Sequence, residues 1–190
     1  MTRTKAFEQT DVIEKAMILF WKQGYEATSM QDLVDTMGIN RGSIYDTFDS
    51  KHRLFHKTLD HYRCTVVNPK LQELDESDDP IASIESFFRK LTSSRRMFAR
   101  YGCFMTNSGL ELACLDRKTA LKVRNGLQQI EDTFYRALVR AKKQGYPLKT
   151  GPRVLARVLV NTLQGLRVTT KAKCSKRFVD DIVRITLSLV

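Results

Sequence analysis

Residues 20–55 read FWKQGYEATSMQDLVDTMGINRGSIYDTFDSKHRLF, and this stretch decides the fold of the chain. Apolar residues recur at helical spacing over 7–22, and Gly24 supplies a C-terminal stop for this first predicted helix. The run from Thr28 to Gln31 fits an S/T-x-x-Q capping box, which predicts the start of a second helix. Gly38 ends that helix after about three turns.

A third, very short helix is expected immediately after this glycine. Asn40 is placed to cap it, and Ile44 and Phe48 are its inward-facing residues. Three helices with a tight glycine-containing turn between the last two are what a helix-turn-helix requires. The spacing therefore predicts such a motif over about 29–48.

The rest of the chain also has helical periodicity. We expect an all-α protein of about nine helices, with a three-helix N-terminal domain over 1–50 and a helical C-terminal domain over 51–190. The stretch 66–79 contains Asn68-Pro69 and an acidic run, so it is predicted to be a loop.

Composition narrows the class of protein. With 42% hydrophobic and 28% charged residues, the chain has the composition of a soluble globular protein. It contains neither a run long enough to span a membrane nor a signal peptide, so we expect it in the cytoplasm. The four cysteines are scattered without a C-x-x-C pair, and we expect free thiols.

The net charge of +11 suggests a nucleic-acid partner but does not locate its site. Residues 1–57 hold eight basic and eight acidic side chains, so the whole excess lies beyond them. The position of the DNA-reading surface must therefore be inferred from local sequence motifs.

The start of the third helix has the residue types that major-groove reading needs. Small or polar residues let the backbone approach the bases, while arginine bonds guanine or phosphate. A lysine at the next helix start adds a phosphate contact, supported by the helix dipole. The candidate DNA-contacting residues are Thr28, Asn40, Arg41, Gly42, Ser43, Tyr45 and Lys51.

Residues 20–55 closely resemble the TetR family of transcriptional regulators. The matching features are the aromatic-x-x-x-Gly-aromatic end of the first helix, the Thr cap, Gly38, and the Gly-Ser-Ile-Tyr-x-x-Phe-x-x-Lys run over 42–51. The resemblance is strong over 7–56 and only architectural beyond. It implies a dimeric repressor on a palindromic operator of double-stranded DNA, released by a small-molecule effector of unknown identity. The dimer is expected to form through about 152–190.

The middle helices are expected to enclose the effector. A set of aromatic residues with few polar groups is typical of ligand sites, although each member alone could equally be core. The candidate pocket residues are Tyr62, Phe87, Phe88, Phe98, Tyr101, Cys103, Phe104, Asn107, Phe134 and Leu138.

Cys103 supports an alternative, a repressor that senses oxidants or electrophiles. It lies at a predicted helix N-terminus, where the helix dipole favours a thiolate. Lys171 is a candidate cation beside it, because it follows an apolar helix expected to pack next to the pocket. The plain alternative is an inert buried cysteine.

Three other classes of function are disfavoured. His52 and His56 lie one helical turn apart, with His61 and Cys64 beyond them, but no complete ligand set follows, so we expect neither metal nor cofactor. An enzyme is not expected, because no nucleophile–base pair or phosphate loop appears in a motif context. A helical adaptor that has lost DNA binding is disfavoured by the intact 41–51 run.

Overall fold

The chain folds into α-helices throughout the part that a computed structural model describes, residues 8–93 and 100–190. These residues contain no strand. The helices are α1 (Gln9–Gln23), α2 (Met30–Met37), α3 (Arg41–Phe48), α4 (Lys51–Tyr62), α5 (Asn68–Glu76), α6 (Pro80–Ser93), α7 (Phe104–Leu112), α8 (Arg117–Lys143), α9 (Pro152–Lys171) and α10 (Lys176–Leu187). One π-helical turn (Arg63–Val67) joins α4 to α5. The predicted all-α class is confirmed.

Side-chain caps set where the N-terminal helices begin. Each cap is a side-chain oxygen that accepts a hydrogen bond from a backbone N–H in the first turn of its helix. The cap residue is Ser29 for α2, Asn40 for α3 and Ser50 for α4. Ser29 and Asp32 form a reciprocal capping box, so the prediction of a box from Thr28 to Gln31 was wrong by one residue. An Asp can accept the N-cap amide as a Glu or Gln does, and this shifted register has the better geometry.

A first hydrophobic cluster holds α1 to α4 together. Phe20, Leu33, Phe48 and Phe55, one from each helix, are fully buried in it. Phe104 from α7 belongs to the same cluster, so the C-terminal half reaches into the N-terminal domain.

A second cluster forms the core of the C-terminal half. It combines buried residues from α5, α6, α8, α9 and α10, including Leu74, Phe88, Phe134, Leu159 and Val183. Burying such aliphatic and aromatic side chains contributes about 1.5–3 kcal/mol each. The cluster therefore makes these five helices one packed unit.

Residues 66–76 are helical and only 77–79 form a loop, so the predicted loop over 66–79 is wrong for most of its length. Pro69 occupies the first turn of α5, where its missing N–H has no intrahelical partner to lose. Leu71 and Leu74 are buried, and Asp75 forms an ion pair with Arg136 of α8. The proline thus starts this helix instead of excluding it.

No helix in the described residues is both long and apolar enough to cross a membrane.

Candidate functional site

Helix α3 has a buried face and an exposed face. Ile44 and Phe48 are 0% exposed and anchor it in the first cluster. Arg41, Gly42 and Tyr45 lie on the opposite, exposed side. The helix therefore presents its N-terminal half to solvent, as a recognition helix must.

The polar residues of this exposed face are held in place by local contacts. The side-chain oxygen of Asn40 accepts the Ser43 backbone N–H at 2.8 Å, which fixes the helix start. The guanidinium of Arg41 lies over the Tyr45 ring, 5.8 Å from its centroid. A Cβ on Gly42 would approach only the Asn40 side chain, at 3.3 Å, so this surface is open to an incoming duplex.

Lys51 occupies the first turn of α4. Its ammonium nitrogen lies 4.3 Å from the centre of the Tyr25 ring, in the turn between α1 and α2. This contact holds a cation close to the first turns of both α2 and α4, where backbone N–H groups favour anions.

Thr28 does not lie on this surface. It is 0% exposed, and its hydroxyl donates a 2.6 Å hydrogen bond to the carbonyl oxygen of Gly24. The expected phosphate contact through this side chain is therefore corrected. Thr28 shapes the α1–α2 turn, and the exposed Ser29 is the polar residue at the start of α2.

Two polar contacts connect the N-terminal domain to the segment around α7. The indole Nε1 of Trp21 donates to the carbonyl oxygen of Gly102 at 3.1 Å. The carboxylate of Glu111 accepts the backbone N–H groups of Tyr25 and Glu26 at 3.0 and 2.8 Å. Of the three partners in the N-terminal domain, Tyr25 and Glu26 lie in the α1–α2 turn and Trp21 lies in the last turn of α1, so α7 is joined to this turn.

A narrow cavity of about 40 Å³ lies next to Cys103, the residue that follows Gly102. Tyr62 and Cys103 form one wall, and the Tyr62 hydroxyl donates to the Cys103 sulfur at 3.6 Å. Burial raises the pKa of Tyr62 well above its usual value, and the nearby Cys103 adds to this shift. Burial also lowers the pKa of Arg167, a cationic residue of the cavity wall. The remaining lining residues are Val66, Val67, Lys70, Leu71, Phe87, Ile130, Leu163 and Gln164.

Comparison with known proteins identifies the family. Residues 12–58 match the family model for bacterial regulatory proteins of the tetR family. The chain is 31% identical over 193 residues to the HTH-type transcriptional regulator YezE of Bacillus subtilis, and the match covers all of both chains. The chain belongs to the TetR family.

Other TetR-family proteins are similar over almost the whole length. The HTH-type transcriptional repressor ComR of Escherichia coli is 29% identical over 98% of this chain and 90% of its own. Among solved structures, a cysteine mutant of the TetR-family regulator CifR in complex with 26-bp operator DNA has a TM-score of 0.82. Its identity is 23%, with 98% of each chain covered, so this likeness shows the shared fold.

Family membership confirms two predictions made from the sequence. This TetR-family chain is a DNA-binding transcriptional regulator, and its relatives are regulators rather than enzymes. The residues that read DNA remain predictions.

The structure places only some of the predicted pocket residues around the cavity of this TetR-family chain. Tyr62, Phe87 and Cys103 line it, whereas the fully buried Phe88, Phe104, Phe134 and Leu138 fill the hydrophobic clusters. Tyr101 packs on the first cluster, and the side-chain amide of Asn107 donates a hydrogen bond to the carbonyl oxygen of Tyr101. Phe98 lies outside the described residues. Large aromatic residues at helical spacing pack the core first.

Two cationic residues of the cavity wall, Lys70 and Arg167, were not among the predicted pocket residues. They lie on helix faces, and no sequence motif marks them as part of a pocket.

Cys103 is the N-cap residue of α7, as its position in the sequence suggested. All four cysteines are free thiols, and Cys64, Cys114 and Cys174 are exposed. Cys103 opposes the effect of burial on the pKa of Arg167, and the Lys171 side chain lies beside Gly102. These contacts do not favour the thiol-sensing alternative over a cavity that binds a ligand reversibly.

Proposed function

We propose that this protein is a homodimeric repressor that works in the cytoplasm and leaves a palindromic DNA operator when a small molecule binds its C-terminal half. We divide it at residue 50 into a DNA-binding domain and an effector-binding and dimerisation domain, with α4 packed against both. ComR, a relative over nearly the full length, is named a repressor, and CifR was solved on operator DNA. These two descriptions support the proposal that this protein is a repressor that binds an operator.

The observation that carries the proposal is the exposed N-terminal face of α3. Arg41, Gly42 and Tyr45 are exposed side by side, while Ile44 and Phe48 fix the helix from behind. We assign base reading to Arg41 and Ser43, close backbone approach to Gly42, and phosphate contacts to Tyr45 and Lys51. Asn40 acts by capping the helix.

The dimer interface is proposed on α9 and α10. Phe178 and Ile185, two turns apart on α10, are 47% and 53% exposed. On α9, Val154 and Val168 are also exposed, and nothing lies within 4 Å of a Cβ built at the exposed Gly165. An apolar surface with a glycine suits close packing of a second copy into a helical bundle. Leu159, by contrast, is buried in the monomer and belongs to its own core.

The cavity around Tyr62 and Cys103 is the proposed effector site. At about 40 Å³ it is smaller than the roughly 300–1,000 Å³ of ordinary ligand pockets, so an effector must push its walls apart. Cys103 follows Gly102, which accepts the Trp21 indole N–H. Tyr62 also packs edge-on against Trp21, with ring centroids 5.0 Å apart. Widening the cavity would therefore displace α1 and the helix-turn-helix packed against it.

The lining suggests an effector with an apolar body and an anionic group. Lys70 and Arg167 bring two cationic side chains to a wall otherwise made mostly of apolar residues. A carboxylate or phosphate would pair with a guanidinium that is partly withdrawn from water.

The experiment that tests the proposal is a mobility-shift titration with the chain's own upstream DNA. We expect a discrete complex containing two chains per duplex, resistant to excess unrelated DNA. A matched panel of carboxylic acids and their uncharged amides, added to the complex, tests the effector class. Release by an acid but not by its amide supports the assignment, and DNA binding without sequence preference would contradict it.

A further inference from the structure

Helices α4 and α8 bring three metal-ligating side chains to one point. His52 and His56 lie one turn apart on α4, and Asp116 caps the start of α8. Their Nε2 atoms lie 3.0 and 2.9 Å from the same oxygen, Oδ2 of Asp116. One ligand atom from each residue lies within 4.8 Å of the other two.

The distances are close to those of a coordinated ion. In a tetrahedral site with ligands about 2.0–2.1 Å from the metal, neighbouring ligand atoms are about 3.3 Å apart. The two nitrogen–oxygen distances of this cluster therefore need to lengthen by only a few tenths of an ångström. Small side-chain rotations of the partly exposed His52 supply such a change.

Oδ2 of Asp116 is crowded by nitrogen and oxygen atoms. It is approached by both imidazole Nε2 atoms, by the Thr119 hydroxyl at 2.5 Å and by the Thr119 backbone N–H at 3.2 Å. The Nε2 atom of His56 also lies 3.0 Å from the Thr119 hydroxyl oxygen. An ion bound by the two Nε2 atoms and Oδ2 would take the place of the two nitrogen–oxygen contacts, because a neutral imidazole offers a lone pair to a metal.

We propose that His52, His56 and Asp116 bind a divalent transition-metal ion of the Zn²⁺ class. Two imidazoles and one carboxylate suit Zn²⁺ and its neighbours, whereas Mg²⁺ and Ca²⁺ favour sites built from oxygen atoms. The His52 side chain is 43% exposed, which leaves an entry path and a fourth coordination position for water. Binding through Nε2 places the ring proton of each histidine on Nδ1. The Nδ1 atom of His56 is buried without a hydrogen-bond partner in the part of the chain that the structure describes.

The position of the site connects it to the DNA-reading surface. His52 follows Lys51 in the chain and packs edge-on against Tyr25, with ring centroids 6.1 Å apart. The Lys51 ammonium lies over the same tyrosine. An ion held between α4 and α8 would therefore fix α4, which packs against both domains, to the C-terminal helices.

The test is calorimetric titration of ZnCl₂ into the tag-free full-length chain without DNA, so its outcome does not depend on the proposed operator. We expect one Zn²⁺ per chain and no binding of Mg²⁺. His52→Gln changes a partly exposed ligand, and Asp116→Asn removes the charge while keeping a good helix cap. Each should weaken binding at least tenfold, the smallest loss expected when even a supporting residue of a metal site is changed.

His61→Gln is the matched control, because His61 lies on the same helix outside the cluster. It should bind Zn²⁺ as the wild type does, and circular dichroism should show equal helicity in all variants. The absorption spectrum of bound Co²⁺ should show a low-coordinate site in wild type and His61→Gln only. The proposal is overturned if wild type fails to bind Zn²⁺, if His52→Gln binds it unchanged, or if His61→Gln loses it.

Discussion

The indole Nε1 of Trp21 donates a hydrogen bond to the carbonyl oxygen of Gly102, joining the first helix to the segment that begins the cavity wall. Trp21 is 4% exposed, and Gly102 has a φ of 71°, a left-handed conformation that favours glycine. The contact therefore joins the DNA-binding domain to the segment that carries Cys103 of the proposed effector cavity.

Replacing Trp21 with Phe should weaken this connection. The variant keeps an aromatic ring but leaves a buried carbonyl oxygen without its donor, which costs about 1–3 kcal/mol. Urea denaturation should show that loss in the free energy of unfolding. Tyr146→Phe, which removes a hydroxyl from a residue 41% exposed after α8, is the control and should lose less. Equal stability of wild type and Trp21→Phe would contradict the role given to this bond.

Lys51→Ala should weaken binding to all DNA sequences by a similar factor. The lysine is assigned to a phosphate, so its loss should also make the salt dependence of binding shallower by about one unit of slope. Arg53→Ala is a suitable control, because the exposed Arg53 is already paired with Asp49 at 2.6 Å. If the two variants bind operator and random DNA equally well, the phosphate assignment fails.

Ile185→Glu should convert the dimer into folded monomers. The side chain is 53% exposed in the single chain, so a charge there disturbs an interface and not the core. Leu110→Glu, at a residue 78% exposed on α7, should remain dimeric. Sedimentation velocity distinguishes the two states, and a dimeric Ile185→Glu protein would place the interface elsewhere.

Mild oxidants should leave operator binding unchanged. Cys103 is half-buried against the Tyr62 hydroxyl, and the cavity next to it is the proposed ligand site. Wild type and Cys103→Ser should therefore respond alike in a binding assay after treatment. Release of the wild type alone would revive the thiol-sensing alternative.

Helix starts could be read from the sequence because they depend on local contacts. Asn40 caps the third helix as expected, and Ser50, Asp116 and Ser175 cap later helices by the same local contact. The helix over 68–76 was missed because a proline and an acidic run were interpreted as breakers. Its stability comes from burial of Leu71 and Leu74, a tertiary effect that local patterns do not contain.

The sites beyond the helix-turn-helix depend on residues far apart in the chain. Asp116 meets His56 across 60 positions, so two histidines alone gave no sign of a third ligand. Lys70 and Arg167 reach the cavity from separate helices and look like surface residues in the sequence. Phe88, Phe104 and Phe134, three of the aromatic residues that seemed to mark a pocket, are needed to fill the cores.

The central claim is that α3 reads operator DNA, and fluorescence anisotropy with the chain's own upstream sequence tests it most directly. Wild type should bind the labelled operator much more tightly than a scrambled duplex of equal composition. Arg41→Ala should lose about 1–3 kcal/mol of that discrimination, because one bidentate contact to a base is removed. If Arg41→Ala retains the full discrimination, or if wild type shows none, α3 is not the reading helix.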